Sequence, residues 1–340
     1  MRKYKYIFFD SGELKGGKAN KDDYYYTCTS DLRAQDDIEV ISYPSEGKSI
    51  FFHLFFVFAL KFARRYVRFQ FLLKLFYPYY TNRKYKKNEL LCFVVYGYYI
   101  TPDYLKYVRR HFPNSKIVKI HRDAYSIWRK RNPLFSNKDM EDLFDLQLSY
   151  DIGDSKKYGM IHFDEIESKR DIELSENYPI YDVFFAGAAK DRLPLLISFY
   201  DYLEERGVNC FFFITNSRKA EQVERKGILY AEKGMTYREM LYYTVNSEVV
   251  LEINQCMVDG FTSRFLESVI YNKKLITNNL AVQKNSYYNS QFIKCVNKPE
   301  DIDVDFIKKD IKVDFGYKDE FSPVHLIDLI DKSLIESEKI

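Results

Sequence analysis

The fold of this chain is most clearly indicated by residues 259–278, which read DGFTSRFLESVIYNKKLITN. Their pattern predicts a loop, a helix that begins near Thr262, and a short strand. Apolar residues recur in the helical part at intervals of three and four: Phe265, Leu266, Val269 and Ile270. Asn272 is a typical helix end, and the apolar residues 275–276 then begin the strand.

Glu267 lies just over one turn inside this predicted helix. Asp259 and Gly260 form a turn signal, because Asp can accept hydrogen bonds from free helix N–H groups and Gly lets the backbone approach a ligand. The N–H groups at a helix N-terminus attract phosphate. A phosphate bound there would leave an attached sugar within reach of Glu267, so the segment predicts a nucleotide site.

The two acids at 259 and 267 resemble the acid-x7-acid signature of GT-B glycosyltransferases, in particular those of family 4. The resemblance implies that Asp259 lies beside the donor sugar and diphosphate and that Glu267 binds the nucleotide ribose. It also implies donor contacts from the residues between them: Gly260, Phe261, Thr262 and Arg264. The chain departs from the family pattern in having Asp at the first position and larger residues at 262–264. The alternative is an ordinary amphipathic helix with a solvated Glu267.

Composition favours an intracellular globular protein of two domains. The chain has 340 residues, which is long for one core, and 46% of them are hydrophobic. The 52 basic and 49 acidic residues nearly balance, so nucleic acid is not predicted as a partner. Five widely spaced cysteines give no disulfide or zinc pattern. No signal peptide follows Met1, so we expect a cytoplasmic location.

Residues 181–187 predict a buried strand that ends at Gly187 and leads into a helix. In the family that the chain resembles, this turn supplies Gly and basic residues to the donor diphosphate, which implies that role for Lys190 and Arg192. Cations are poorly placed at a helix N-terminus unless they serve an anion. With helix N–H groups they could neutralise the leaving diphosphate, so no metal and no cofactor are expected. A surface cluster of charges is the alternative.

Two further site candidates follow predicted strands of the first half. Gly16 and Gly17 lie in the loop after the strand at 6–9, and His121 follows the strand at 117–120. Ligands of open α/β sheets gather at the carboxyl ends of strands. The resemblance implies that the glycine pair approaches the donor phosphates and that His121 contacts the donor sugar. The alternatives are a simple turn and a structural hydrogen bonder.

Residues 50–80 have an unusual composition. The run 50–60 has His53 as its one polar side chain and is too short to span a bilayer. The next residues place four cations at helical spacing: Lys61, Arg64, Arg65 and Arg68. A basic stripe beside an aromatic face suits a helix on an anionic membrane surface, which would make the protein peripheral at the inner face of the cell membrane. A core helix with one solvated side is the alternative.

Strands and helices alternate along the chain, which predicts an α/β protein with parallel sheets. The resemblance implies a GT-B-like fold, in which two Rossmann-like doubly wound domains face a cleft. We expect an acceptor-side domain at 1–165, a linker at 166–180, a nucleotide-sugar domain at 181–320 and a C-terminal helix at 321–340 that packs back.

Residues 142–159 also resemble a stretch of bacterial surface-polysaccharide glycosyltransferases. The function that the resemblance implies is transfer of a sugar from a nucleotide-sugar donor to a hydroxyl of a glycan or lipid-linked glycan. The family-4 likeness implies that the sugar retains its anomeric configuration. A non-catalytic binding or scaffold protein of the same fold is the alternative. Kinases and dehydrogenases are disfavoured because their glycine-rich phosphate motifs are missing from the sequence.

Overall fold

The computed structural model describes residues 2–10, 12, 14–15, 18–81, 83–97, 99–123, 125–132, 135, 142–254 and 260–338, with backbone alone at 64, 67, 68, 70 and 131. The chain divides into two compact units. Unit 1 comprises Met1–Ser168 and Phe321–Ile340, and unit 2 comprises Lys169–Glu320. Each unit is built on its own parallel sheet.

The sheet of unit 1 has six parallel strands among the described residues. In chain order they are β1 (Lys5–Phe9), β2 (Ile38–Ile41), β3 (Leu91–Val95), β4 (Lys116–His121), β5 (Leu146–Ser149) and β6 (Ile161–His162). Their order across the sheet is β2-β1-β3-β4-β5-β6. The direction of winding therefore reverses between β1 and β3, the kind of place where open α/β sheets bind ligands.

Both faces of this sheet are covered. Successive residues of β1 point to opposite sides of the sheet and pack against different helices. The helical elements of unit 1 are α1 (Tyr24–Cys28), α2 (Ile50–Arg65), α3 (Pro102–His111), α4 (Tyr125–Arg131), α5 (Ile152–Tyr158) and, at the C-terminus, α10 (Pro323–Ser337). Ile7 and Phe9 pack with α2, α3 and α4, whereas Tyr6 and Phe8 pack with α10. The C-terminal helix is thus part of the core of unit 1.

Residues 166–168 belong to unit 1, which differs from the predicted linker at 166–180. Ile166, Glu167 and Ser168 are all buried. The Glu167 N–H donates to the carbonyl of Phe321, and the Ser168 hydroxyl donates to the carbonyl of Cys28. The sequence did not indicate that residues 166–168 are buried, because the segment is charged and its few buried side chains have no regular spacing.

Unit 2 also has a six-stranded parallel sheet among the described residues. Its strands are β7 (Tyr181–Ala188), β8 (Cys210–Thr215), β9 (Ile228–Ala231), β10 (Ser247–Glu252), β11 (Lys274–Thr277) and β12 (Ile293–Cys295). The order across the sheet is β9-β8-β7-β10-β11-β12. Numbered within the unit, this is the 3-2-1-4-5-6 order of Rossmann folds, and the winding reverses between β7 and β10.

Four helices accompany this second sheet among the described residues. They are α6 (Leu193–Glu204), α7 (Tyr237–Val245), α8 (Ser263–Ile270) and α9 (Val304–Lys308). Thr236 and Glu239 form a capping box at the start of α7, as their spacing in the sequence indicates. The helix predicted to begin near Thr262 is α8, with Thr262 as its N-cap.

The predicted basic stripe does not lie on one helix. Helix α2 ends at Arg65, and a 3-10 segment covers Val67–Tyr79. Tyr66 between them has φ −133° and ψ 95°, an extended backbone that breaks the helical spacing from Lys61 to Arg68. The side chains of Arg64 and Arg68 lie outside the described part of the chain.

The buried Asp331 on α10 ties this helix to β1. Its carboxylate accepts from the Lys3 N–H at 3.1 Å and from the Tyr6 hydroxyl at 2.7 Å. Asp331→Ala should lower the free energy of unfolding of unit 1 by about 1–3 kcal/mol, because buried donors lose their acceptor. Asp328→Ala on the same helix removes an exposed ion pair with Arg2 and should cost at most about 1 kcal/mol. Urea titrations that give equal losses would contradict this account.

Candidate active site in unit 2

The residues predicted to hold the donor meet where the winding of the second sheet reverses. Strand β7 ends at Ala188 and strand β10 ends at Glu252, side by side in the sheet. The loop after β7 carries Lys190 and Arg192, and the chain after β10 leads to α8. The carboxyl ends of two neighbouring parallel strands therefore bring both predicted groups to one edge.

Thr262 connects the start of α8 to the end of β10. Its hydroxyl oxygen accepts from the Arg264 N–H at 3.2 Å and caps the helix, while the hydroxyl donates to Glu252. Thr277 at the end of β11 donates to the other oxygen of Glu252. Burial raises the pKa of Glu252, and these hydroxyls together with Arg264 oppose that rise.

Glu267 is fully buried one turn further along α8. Its Oε1 accepts from the Tyr237 hydroxyl at 2.7 Å, and Arg264 Nη1 lies 2.5 Å from Oε2. Burial raises the pKa of Glu267 to about 7, with Arg264 and Tyr237 lowering it and Glu252 raising it further. The solvated Glu267 of the sequence-based alternative is therefore wrong. Its predicted contact with a ribose stays a prediction.

Arg192 braces the two strand ends. Its guanidinium donates to the carbonyl of Ala188 at 3.0 and 3.2 Å and to the carbonyl of Ile253. A Cβ at Gly187 would lie 2.9 Å from Arg192 Nη2 and would displace the guanidinium. Gly187 is thus explained by packing, and Arg192 brings a positive charge to this edge. Its diphosphate role stays a prediction.

Lys190 adopts a strained backbone conformation, with φ +48° and an exposed side chain. Residues other than Gly rarely adopt this left-handed region, and when they do the position is often functional. The strain is located directly after β7, at the edge where Arg192 and Glu252 also lie. Lys190 is therefore an exposed cation that is held in an uncommon backbone conformation at this edge.

Backbone around the same edge is fixed by amides. The Asn279 side chain donates to the Gly260 carbonyl at 3.0 Å, and Asn278 exchanges hydrogen bonds with the backbone of Asn254. One buried polar atom near this edge, Asn254 Nδ2, has no hydrogen-bond partner among the described residues. Buried polar atoms are rarely left in this state, and one explanation is a bound ligand that supplies the partner.

The predicted residues of the first half lie in unit 1. His121 ends β4, is fully buried, and its Nε2 lies 3.0 Å from Gln147 Oε1. Burial and the Lys119 charge lower the pKa of His121 to about 3, so the imidazole is neutral. The imidazole ring packs edge to face with the rings of Tyr125 and Trp128. A contact with the donor sugar stays a prediction.

Some predicted residues cannot be placed. Gly16, Gly17 and Asp259 lie outside the described residues. Phe261 is described and partly buried, and its ring lies 5.0 Å from that of Phe265. Among the described residues, no group of three His, Cys, Asp or Glu side chains is placed to hold a metal ion.

Sequence reasoning missed Glu252 and Tyr237. Glu252 had a usable signal, since it is an acid at the carboxyl end of an otherwise apolar strand. Tyr237 had none, because it precedes Glu267 by 30 residues and meets it only through the packing of α7 beside α8. Among the described residues, the buried acids at this edge are therefore Glu252 and Glu267.

Comparison with solved structures supports the fold. No protein-family profile matches this chain. No curated protein sequence matches it either. A protein assigned as a UDP-N-acetylglucosamine 2-epimerase from Listeria monocytogenes has a TM-score of 0.50 and 10% identity, covering 99% of this chain and 98% of its own. An α,α-trehalose-phosphate synthase (UDP-forming) from Burkholderia vietnamiensis has a TM-score of 0.50 and 8% identity, covering 88% of each chain.

At such low identity these similarities concern the fold alone. They cover both units, and the neighbours are GT-B-like. The predicted fold class, α/β with two Rossmann-like domains, is confirmed. The family-4 assignment is not established by them and remains part of the functional proposal.

The buried Glu267 makes stability depend on pH. Its pKa is about 7 in the folded protein against an ordinary value of 4.5, so the folded state binds more protons than the unfolded state between these values. Through Glu267 alone, the free energy of unfolding of unit 2 should fall by about 1–3 kcal/mol as pH rises from about 5 to about 8. His121, whose pKa is lowered by folding, has the opposite effect in unit 1. Glu267→Gln should remove most of this fall, as measured by urea titration at both pH values.

The exposed Glu232 provides the matched control, because no such burial acts on it. Glu232→Gln should keep the pH dependence of the parent protein. An unchanged pH dependence in Glu267→Gln would show that Glu267 is charged at both pH values and that the assigned protonation is wrong.

Proposed function

We propose that this chain is a glycosyltransferase that moves a sugar, a hexose, from a nucleotide-sugar donor to a hydroxyl group of a glycan or lipid-linked glycan. In the family-4 interpretation it retains the configuration of the sugar and needs no metal. The product would be a bacterial surface polysaccharide, in capsule or lipopolysaccharide. The protein would act in the cytoplasm, at the inner face of the cell membrane.

One observation carries the proposal. The reversal point of a 3-2-1-4-5-6 sheet gathers two cations, Lys190 and Arg192, and the first turn of α8 beside Glu252 and Glu267. Cations together with free helix N–H groups suit a diphosphate, and carboxylates suit the hydroxyls of ribose or sugar. This combination is what a nucleotide sugar presents.

The chemistry follows from where charge develops. As the bond between the sugar and the diphosphate breaks, negative charge grows on the leaving phosphate oxygens. Lys190, an exposed residue of the loop after β7, would stabilise that charge. Arg192 would add positive charge from a fixed position without contacting the phosphate, because its guanidinium already donates to backbone carbonyls. The positive charge is thus supplied without a metal ion.

Glu267 fits a role in nucleotide binding through its second carboxylate oxygen. Oε1 accepts from the Tyr237 hydroxyl, whereas Oε2 forms an ion pair with Arg264. A carboxylate oxygen has two lone pairs, so a ribose hydroxyl would be a further donor to Oε2. Asp259, separated from it by seven residues in the signature, would act at the sugar end of the donor.

The enclosed state of Glu267 also favours the alternative function. A carboxylate held by Tyr237 and Arg264 of its own chain can be structural, as in a non-catalytic scaffold that keeps the fold and has lost donor chemistry. The two functions differ in whether a sugar is ever released from a nucleotide.

Lys190→Gly tests nucleotide binding without disturbing the fold. Glycine adopts φ +48° without strain, so the variant removes the cation and keeps the backbone. Losing one charge-assisted contact of about 1.5–3 kcal/mol should weaken binding about 10- to 150-fold. Isothermal titration with UDP, GDP and ADP measures this loss.

Lys226 is the matched control, since it is exposed and precedes β9 at the opposite, amino-terminal edge of the sheet. Lys226→Ala should leave the affinity unchanged. Equal affinities in Lys190→Gly and the parent would remove Lys190 from the site. A parent protein that binds none of a full panel of nucleoside diphosphates would refute the proposed function.

Asp259→Asn separates binding from transfer. Free nucleoside diphosphate lacks the sugar, so its affinity should stay within about twofold of the parent. Release of nucleoside diphosphate from the donor should fall by roughly 100-fold, as is typical when one transition-state contact is lost. The assay is donor turnover with a panel of nucleotide sugars. Binding without any turnover by the parent protein would favour the scaffold alternative.

A further inference from the structure

Helix α2 is apolar on the side that faces the core and also on the opposite side. Phe56, Ala59, Leu60 and Ala63 are buried in the core of unit 1. The outer side carries Phe51, Leu54, Phe55 and Phe58, which are 79%, 57%, 47% and 60% exposed. Their spacing of i, i+3, i+4 and i+7 places them on one face. The alternative from the sequence, a core helix with one solvated side, also has an exposed side here, but that side is apolar.

The 3-10 segment Val67–Tyr79 extends this apolar face. Phe71 and Leu75 are 55% and 63% exposed. The two elements are in contact, with the Phe52 and Tyr79 rings 5.1 Å apart and the Phe55 and Phe76 rings 5.4 Å apart. We call the exposed side chains of Phe51, Leu54, Phe55, Phe58, Phe71 and Leu75 the apolar face of unit 1. Contiguous apolar surface of this kind indicates an interaction site.

The chain segment that carries the apolar face contains charged residues of one sign. Residues 47–88 contain ten Lys and Arg and no Asp or Glu. Lys48, Lys61 and Arg65 are exposed, and the Lys48 ammonium lies 5.3 Å from the centre of the Tyr79 ring. The Lys74 side chain is 60% exposed and lies 4.0 Å from Asp103 on α3. An apolar centre with a cationic rim complements a partner that is apolar within and anionic at its surface.

We propose that the apolar face of unit 1 docks into an anionic lipid bilayer, with α2 lying in the plane of the interface. The large apolar side chains enter the headgroup and acyl boundary, and the surrounding cations contact lipid phosphates. A second copy of this chain is disfavoured, because pairing the same face twice would oppose cations to cations. In the described part of the chain no helix is both long and apolar enough to cross a membrane.

The position of α2 would place the docked membrane on the side of the carboxyl ends of the first sheet. Helix α2 follows strand β2, so its amino-terminal end, with Phe51 and Leu54, lies on the side of the carboxyl ends of the first sheet. Ligands of such sheets bind at that edge. Docking would bring a lipid-linked substrate to unit 1, a part of the inference that rests on the proposed function. Lipid binding itself needs no catalysis.

Vesicle flotation tests the docking without any nucleotide. The full chain should bind vesicles of phosphatidylcholine with about 30% phosphatidylglycerol, and bind phosphatidylcholine alone at least tenfold more weakly. A triple variant, Phe51→Gln, Leu54→Gln and Phe58→Gln, should lower binding to the anionic vesicles by at least tenfold. Its circular dichroism and melting temperature should stay those of the parent, because these side chains are exposed.

Leu174 and Ile180 provide the matched control, being 72% and 69% exposed in unit 2. Leu174→Gln with Ile180→Gln should leave vesicle binding unchanged. A charge variant, Lys48→Glu, Lys61→Glu and Arg65→Glu, should abolish the preference for anionic vesicles.

Three outcomes would overturn the proposal. In the first, the parent protein does not bind anionic vesicles. In the second, it binds vesicles of both compositions equally. In the third, the parent sediments as a dimer, and the triple variant becomes a monomer without a change in vesicle binding. Donor turnover in detergent, measured in parallel, tests the proposed function separately. A parent protein that turns over a donor but does not float with anionic vesicles would refute the docking alone.

Discussion

Glu252 and Glu267 are both removed from water at the carboxyl edge of the second sheet, and burial of a carboxylate must be compensated within the protein. Two threonine hydroxyls hold Glu252, while Tyr237 and Arg264 hold Glu267. These contacts join the ends of β10 and β11 to α7 and α8. The arrangement of this edge therefore depends on satisfying two acids, and so does the direction in which α8 leaves the sheet.

Unit 1 also has buried charged side chains at the carboxyl ends of its strands. Asp10 at the end of β1 is fully buried and pairs with Arg33 at 2.8 Å. Arg122, directly after β4, lies 4.5 Å from the centre of the Tyr96 ring and 3.4 Å from a Glu165 oxygen. Parallel sheets covered on both faces leave little room for polar groups between the strands, and Asp10 and Arg122 both lie directly after the carboxyl ends of strands.

The sequence predicted the elements of unit 2 well where the pattern was long. It predicted a helix that begins near Thr262, which is α8, the cap at Thr236 with Glu239, and the strand at 181–187, which lies within β7. The side chain that caps α8 is that of Thr262, whereas the sequence pattern had favoured Asp259. It missed β9 (Ile228–Ala231), because four residues beside a charged connection give too little periodicity. It also merged α2 with the 3-10 segment that follows, because aromatic residues continue through the break at Tyr66.

The sequence by itself determined the alternation of strands and helices, the helix caps and the apolar stripes, because each depends on residues within a few positions of one another. Only the tertiary structure decided which stripes are covered. Glu267 is buried because Tyr237, 30 residues earlier, packs against it, and Phe51 is exposed because no described element covers the outer side of α2. Periodicity shows that a face exists, whereas burial depends on contacts between residues that are distant in the chain.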